Sequence, residues 1–442
     1  MSTIKNILYV EAQFDKHGAP TNSVAIPAGT TDLFVISHGW RNDAAEASKL
    51  YTDFFTNFAD PNVVAPALLA GRQCAIVGVF WPSKNFDALI AAQGAGTPGN
   101  AAAVGDAVSD PESQQKLIAQ LEALKAAGLF DEPAQVQALA AAQALVPDLD
   151  DKATARAAFI EHLRSLMNPG AAGKEDASDI FLKIDPSDLF KRLNIHAGAV
   201  DASIPKTGKA MAFSPGAGVA ATGHAAGLLD IFKGAAASAS NAASYLSYFM
   251  MKERAGAVGT NGVAPLIDQL APQVARIHLI GHSFGGRVAA AAALSSTNDK
   301  IRSLTFLQAA FSHNGFSPAG MMNGFFRPVI EQHRVKGPII ATHTKNDTAV
   351  GTAYPLASRI SGTVAAALGD EHDKYGGLGR NGAQQMNLGE VVTAQLLPVG
   401  GAYQLTPGKI HNLLADAFIT NHGDVTGPQV VAAMAAAALS AP

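Results

Sequence analysis

The stretch that decides the fold is Arg276-Ile277-His278-Leu279-Ile280-Gly281-His282-Ser283-Phe284-Gly285-Gly286-Arg287-Val288, with a run of alanines after it. Ile277 to Ile280 is a short apolar run that reads as a buried strand, Arg276 to Gly281. The segment Gly285 to Leu294 reads as a helix. Ser283 stands between them with glycine two residues to either side. A turn this sharp between strand and helix forces the serine into a strained backbone conformation, and the glycines remove side chains that would clash there. The hydroxyl then projects above the sheet. The five-residue pattern is weak alone; the strand before it and the helix after it are the context such a turn requires.

Outward from this point, strands and helices alternate. Upstream, Asn6 to Val10 and Ser23 to Ile26 read as strands around the turn residues 16–22. Leu33 to Ile36 is a fully apolar strand, Asp43 to Phe58 an amphipathic helix, and Cys74 to Phe80 the next buried strand. The pattern breaks at Trp81-Pro82 and resumes with helices at Tyr245 to Met251 and Ala264 to Leu270. Downstream follow strands at Leu304 to Ala309 and Ile339 to His343, a helix from about Pro355 to Leu368, a strand Val391 to Pro398, and a terminal helix from Pro428. Such alternation predicts an α/β fold, a mostly parallel sheet with helices on both faces.

The chain has 442 residues, 48% hydrophobic and 15% charged, so it can bury a substantial core. A single core stops growing at roughly 250–300 residues, which leaves a surplus of about 150. The gap in the alternation accounts for it. Residues 1–84 and 240–442 read as one discontinuous α/β domain, and residues 85–239 as a large, mainly helical insertion between the fourth strand and the helix leading to the Ser283 turn. Gly/Ala-rich stretches, Ala91 to Val108 and Ala197 to Gly227, flank the insertion. Its middle carries two helical stripes, Leu117, Leu121, Leu124 and Phe159, Ile160, Leu163, Met167. The bland reading of these stripes is helix packing; the sharper one is a cap or lid, with Trp81, Phe86 and Tyr245 to Met251 as hinge and floor.

Composition narrows the function classes. The formal charge is −4, from 32 basic and 36 acidic residues, without a basic run, so nucleic acid is not an expected partner. Cys74 is the only cysteine, which excludes an intramolecular disulfide and any cysteine-built metal cluster. No metal site and no cofactor is expected: Gly94 to Gly99 spells a dinucleotide fingerprint, but it follows no strand and opens no helix. Neither a signal peptide nor a membrane span is apparent, so a cytoplasmic location is expected.

A serine hydroxyl needs a base for its proton and a carboxylate to orient that base. Asp347 lies just beyond the strand Ile339 to His343, and His422 lies in the polar loop 420–424 before the last helix. His372 and His411 compete with His422; the loop before the last helix is where the base must return to the serine. Backbone N–H groups would hold the oxyanion, one from Phe284 and the other from Trp40 in Ser37-His38-Gly39-Trp40, where Gly39 lets the chain turn inward. His38 and His282 read as structural members of strand-end motifs, and Trp81 and His313 as candidate pocket residues.

These phrases resemble the α/β-hydrolase fold family, and within it the serine esterases and lipases. Asp32 to Trp40 resembles the oxyanion strand, Ile277 to Val288 the nucleophile elbow, and the segments around Asp347 and His422 the acid turn and the histidine loop. The order Ser, Asp, His is the one this family uses. The insertion departs from it, since caps there more often follow the sixth strand. The resemblance implies hydrolysis of a small or lipid-like carboxylic ester through an acyl-enzyme. A lipase with an interfacial lid, a thioesterase or amidase, and a non-catalytic binding protein of the same fold are the alternatives.

Overall fold

The computed structural model describes residues 2–40, 42–83, 111–126, 128–130, 132–194, 234–362 and 373–440. The expectations for Phe86, for residues 94–99, for both Gly/Ala-rich stretches and for His372 lie outside them. The chain divides into two compact units, one of Met1–Ser83, Met251–Gly351 and Gly376–Pro442, the other of Lys84–Met250 and Thr352–Tyr375. The second boundary thus differs from the expected one near residue 240. It falls inside a helix, Gly234–Ala257, and residues 352–375 leave the scaffold to which the sequence reading assigned them.

The first unit holds the sheet. Among the described residues the strands are β1 (Ser2–Ile4), β2 (Ile7–Gln13), β3 (Asp32–Ser37), β4 (Cys74–Phe80), β5 (Arg276–His282), β6 (Ile301–Leu307), β7 (Ile339–His343), β8 (Val391–Gln395) and β9 (Ile410–Leu414). They lie in the order β1-β2-β4-β3-β5-β6-β7-β9-β8. Only β1 and β2 run antiparallel; all other neighbours are parallel. The central strand β3 is buried along its whole length, as a strand covered on both faces must be.

Helix α1 (Ala44–Phe58) starts at a capping box, in which Asp43 Oδ1 accepts the Glu46 N–H at 2.8 Å and Glu46 Oε2 accepts the Asp43 N–H at 2.9 Å. Its buried face, Tyr51, Phe54, Phe55 and Phe58, joins Phe34 and Ile36 of β3 and Val430, Val431 and Met434 of the terminal helix in one core cluster. Helix α2 (Phe284–Ser295) packs on β3, β5 and β6. Gly259 lies so close to it that an added Cβ would meet Val288 O and Ala291 Cβ. The helix α3 (Pro428–Ser440) ends the described chain.

The second unit is helical in its described residues, and both stripes read from the sequence are buried in it. Its helices are tied by polar bonds as well: Ser240 Oγ donates to Gln120 Oε1 at 2.7 Å, and Tyr245 Oη donates to Asp176 O at 2.7 Å.

Two strand assignments change. Ser23 to Ile26 is not a strand. The partner of β2 on that side is β1, joined by Lys5 and Asn6 at φ +48° and +69°, the two left-handed residues of a tight hairpin turn. Strand β9 enters between β7 and β8, although His411 and Asn412 interrupt its apolar pattern. Asn412 pairs with the backbone of Ala383, accepting its N–H at 2.8 Å and donating to its O at 3.0 Å. His411 Nε2 accepts the Thr406 N–H at 2.9 Å.

At the N-terminal end of the central strands a charged group is buried. Asp32, with no exposed surface, accepts hydrogen bonds from Arg72 at 2.5 Å, Thr31 Oγ1 at 2.6 Å and His278 Nε2 at 3.2 Å. His278 Nδ1 meets Ser303 Oγ at 2.9 Å, and Arg72 also reaches Leu439 O of α3 at 3.0 Å. Burial raises the Asp32 carboxyl, but the bonds from His278 and Thr31 and the charges of His278 and Arg72 outweigh it and bring it to about 2. Since the folded carboxyl is the stronger acid, its contribution to stability is complete above the unfolded value of about 4 and is lost as pH falls toward the folded one. Asp32→Asn leaves Arg72 and His278 without their anion. We expect urea titration at pH 7 to find the variant about 3 kcal/mol less stable, with a gap to wild type that narrows as pH falls below 4. Equal midpoints at pH 7 would refute the assignment.

Candidate active site

Strand β3 runs beside β5 with Ser37 opposite Gly281, so the turns that leave these strands emerge side by side. Ser283 sits at φ +56°, ψ −126°, a left-handed conformation that a residue with a Cβ adopts only under constraint. The constraint is visible: Ser283 N–H donates to Leu307 O, and Ser283 O accepts from the N–H groups of Gly286 and Ala310, each at 3.0 Å. The glycines are required by space. A Cβ at Gly281 would strike the backbone of Gly285, and one at Gly285 would strike Ser37 and His38 carbonyl oxygens. At Gly39 a Cβ would collide with Cβ of Ser283 itself and come within 2.9 Å of its Oγ.

The turn after β3 is pinned through His38. The Trp81 N–H donates to His38 Nε2 at 3.3 Å, which makes that nitrogen an acceptor and places the ring proton on Nδ1, where it is donated to Gly39 O at 2.9 Å. His38 N–H donates to Tyr51 Oη at 2.8 Å, and the Trp81 indole N–H donates to His38 O at 3.2 Å. Burial pushes the His38 imidazole down to about 4, against the opposing bond to Gly39 O, so the ring is neutral at neutral pH. With Gly39 O bound to His38, the trans peptide points the Trp40 N–H the opposite way. The Trp40 and Phe284 rings meet edge to face at 5.7 Å. Phe284 also opens α2, whose first N–H groups present a partial positive charge.

Asp347 lies four residues beyond the end of β7 and is fully buried. Its Oδ1 accepts the Val350 N–H at 2.9 Å, and its Oδ2 meets His422 Nδ1 at 2.8 Å. The carboxylate fixes the proton of His422 on Nδ1 and leaves Nε2 as the acceptor nitrogen. The His422 loop reaches the elbow through His282, whose Nε2–H donates to His422 O at 2.9 Å; the two rings lie 5.0 Å apart. Burial, followed by the neighbouring His422, pushes His282 down to about 3. Asp347 and His422 are thus joined directly, and the His422 backbone is tied to His282, the residue before Ser283.

The remaining candidates have other places. His411 is held inside β9 by Thr406. Trp81 is stacked on His38 at 5.5 Å with both its N–H groups engaged there. His313 is buried, accepts from Asn381 Nδ2 at 3.1 Å, and is tied through its backbone to Gly376 and Gln384. Tyr51 registers in the sequence only as one of an apolar helix face, yet its hydroxyl bridges the His38 N–H to Val79 O. Asn346, Asp416 and Arg380, which surround the acid turn, carry no sequence signal beyond their polarity. Among the described residues no group of three His, Cys, Asp or Glu side chains could hold a metal ion. No described helix is long and apolar enough to cross a membrane.

Comparison with known proteins adds one match: residues 270–337 fit the family model of the alpha/beta hydrolase fold. Neither a curated protein nor a solved structure matches the chain significantly. The matched segment runs from the residues before β5 through the elbow, α2 and β6. Together with the sheet order and the strained serine at its centre, it supports an alpha/beta hydrolase fold for this chain.

Proposed function

We propose that the protein is a serine hydrolase that cleaves a carboxylic ester through an acyl-enzyme. The observation that carries this reading is the 2.8 Å bond between His422 Nδ1 and Asp347 Oδ2, on a loop held against the residue that precedes Ser283. A histidine so oriented offers Nε2 to a hydroxyl proton, and a buried carboxylate beside it stabilises the imidazolium that forms.

In this reading Ser283 Oγ attacks the ester carbonyl while His422 takes its proton. The carbonyl oxygen becomes an oxyanion between the N–H groups of Phe284 and Trp40, and the start of α2 adds its dipole. His422 returns the proton to the leaving alcohol, which departs as the tetrahedral intermediate collapses to acyl-Ser283. Water, deprotonated by His422, then releases the acid and restores the hydroxyl. A thioester or an amide would pass through the same steps with a different leaving group.

Treatment with a fluorophosphonate probe should place a single adduct on Ser283, read by peptide mass spectrometry, and Ser283→Ala should abolish it. An adduct that persists in the variant, or none on the wild type, would sink the proposal. With p-nitrophenyl acetate, Ser283→Ala and His422→Ala should each lower kcat by about 10⁴-fold or more, as expected when a member of a cooperating triad is removed. Gly39→Ala makes a separate prediction, because its methyl would displace Ser283 and disturb the Trp40 N–H. It should lower kcat by about 10²-fold, the scale of losing one oxyanion donor, and slow probe labelling in parallel. Wild-type labelling of Gly39→Ala would show that the site does not depend on this contact.

A further inference from the structure

The acid turn and the histidine loop leave the sheet from neighbouring strands. Parallel pairing of β7 with β9 runs in register to His343 opposite Leu414 and then stops. One main-chain bond follows, from Ala415 N–H to His343 O at 2.8 Å. Beyond it the chain travels four residues to Asp347 and seven to His422 without a ladder. The side chains of these two residues must still meet within hydrogen-bond distance. Catalytic geometry tolerates errors of only about 0.5 Å, so something other than the sheet must hold the two turns in register.

Asp416 on one turn and Asn346 on the other each reach across to several partners. Asp416 Oδ1 accepts from Thr344 Oγ1 at 2.7 Å and from the Lys345 N–H at 3.1 Å, and its Oδ2 lies 3.1 Å from Lys345 Nζ. In return, Asn346 Nδ2 donates to Asp416 O at 3.2 Å and to Ile419 O at 2.9 Å. The carboxylate of one turn thus gathers donors from the other, and the amide of the other gathers acceptors from the first. Arg380 adds donations to Lys345 O at 2.8 Å and Asp347 O at 3.3 Å. On the far side, Asp424 Oδ2 closes the loop around His422 by accepting from Thr420 N–H and Oγ1 at 3.1 and 2.9 Å.

The bonds fall between the strand ends and the two residues, where main-chain pairing has run out. The ion pair with Lys345 adds little, since that side chain is 75% exposed and surface pairs are weak. The geometric content lies in the neutral bonds of Asn346 and the Oδ1 bonds of Asp416. We propose that Asn346 and Asp416 are positioning residues that form a reciprocal clamp, setting the separation of Asp347 and His422 without touching substrate. The proposal rests on the serine-hydrolase reading for its catalytic consequence, and its geometric part can be tested apart from turnover.

The test uses the full chain and two readouts. The low-field proton resonance of His422 Nδ1–H, identified by its loss in His422→Ala, reports the bond to Asp347 whether or not the protein turns over an ester. Hydrolysis of p-nitrophenyl acetate reports its use. Asn346→Ala, which removes both donations, should weaken or abolish the resonance and lower kcat by about 10–100-fold with KM changed less than about twofold, the range expected from a misplacement near 1 Å. Asp416→Ala should act alike and carries the test if Asn346→Ala does not fold. Asp416→Asn, which keeps Oδ1 as an acceptor, should stay within about threefold of wild type. A folded Asn346→Ala or Asp416→Ala with wild-type resonance and kcat would overturn the clamp. Loss of the resonance in these variants, in a protein whose wild type neither hydrolyses the ester nor labels at Ser283, would support the clamp and overturn the hydrolase reading.

Discussion

Ser283 and Gly39 meet at a place where neither backbone has room for another atom. The contact exists because β3 and β5 are adjacent and parallel with Ser37 opposite Gly281, so the turn leaving one strand lies against the turn leaving the other. Most of the site follows from it. Gly39 packs against Ser283 itself, and the carbonyls of Ser37 and His38 pack against Gly285 two residues on. The Gly39 peptide cannot swing outward, because His38 holds its oxygen. The strain at φ +56° is thus maintained by close packing of two turns, and the packing is maintained by a strand register many residues long.

Three histidines near the serine illustrate how environment assigns roles to one side-chain type. His38 and His282 are buried without a carboxylate at either ring nitrogen, and burial holds both well below the ordinary range. They serve as neutral hydrogen-bonding parts, one orienting the Gly39 peptide and the other gripping the His422 backbone. His422 differs through one bond, to Asp347. A carboxylate at Nδ1 fixes the tautomer of the ring.

Much of this was legible in the sequence, and the limits have physical causes. The central strands show as continuous apolar runs because both faces are covered. The elbow shows because its glycines are demanded by backbone collisions that no other residue survives. Asp347 and His422 stand out in the sequence by their order after Ser283 and by the elements around them. Strand β9 was missed because Asn412 spends its side chain imitating a neighbouring strand, which erases the apolar pattern. The hairpin at Lys5-Asn6 was missed because neither residue announces a left-handed turn as glycine would. Asn346, Asp416 and Tyr51 were missed as supports because a positioning residue is defined by what it reaches across space, and spacing along the chain carries no record of that.

The buried group at the other end of the sheet has a meaning beyond stability. Ser303, His278 and Asp32 form a continuous chain of hydrogen bonds made of the same three residue types as the elbow site, with the imidazole in the middle. A search by residue type and distance alone would select this trio, since its serine and histidine are in direct contact. Yet all three side chains are sealed from solvent, and Ser303 sits in the regular course of β6. The trio thus has the same residue types wired in a row, with no surface at which another molecule could arrive.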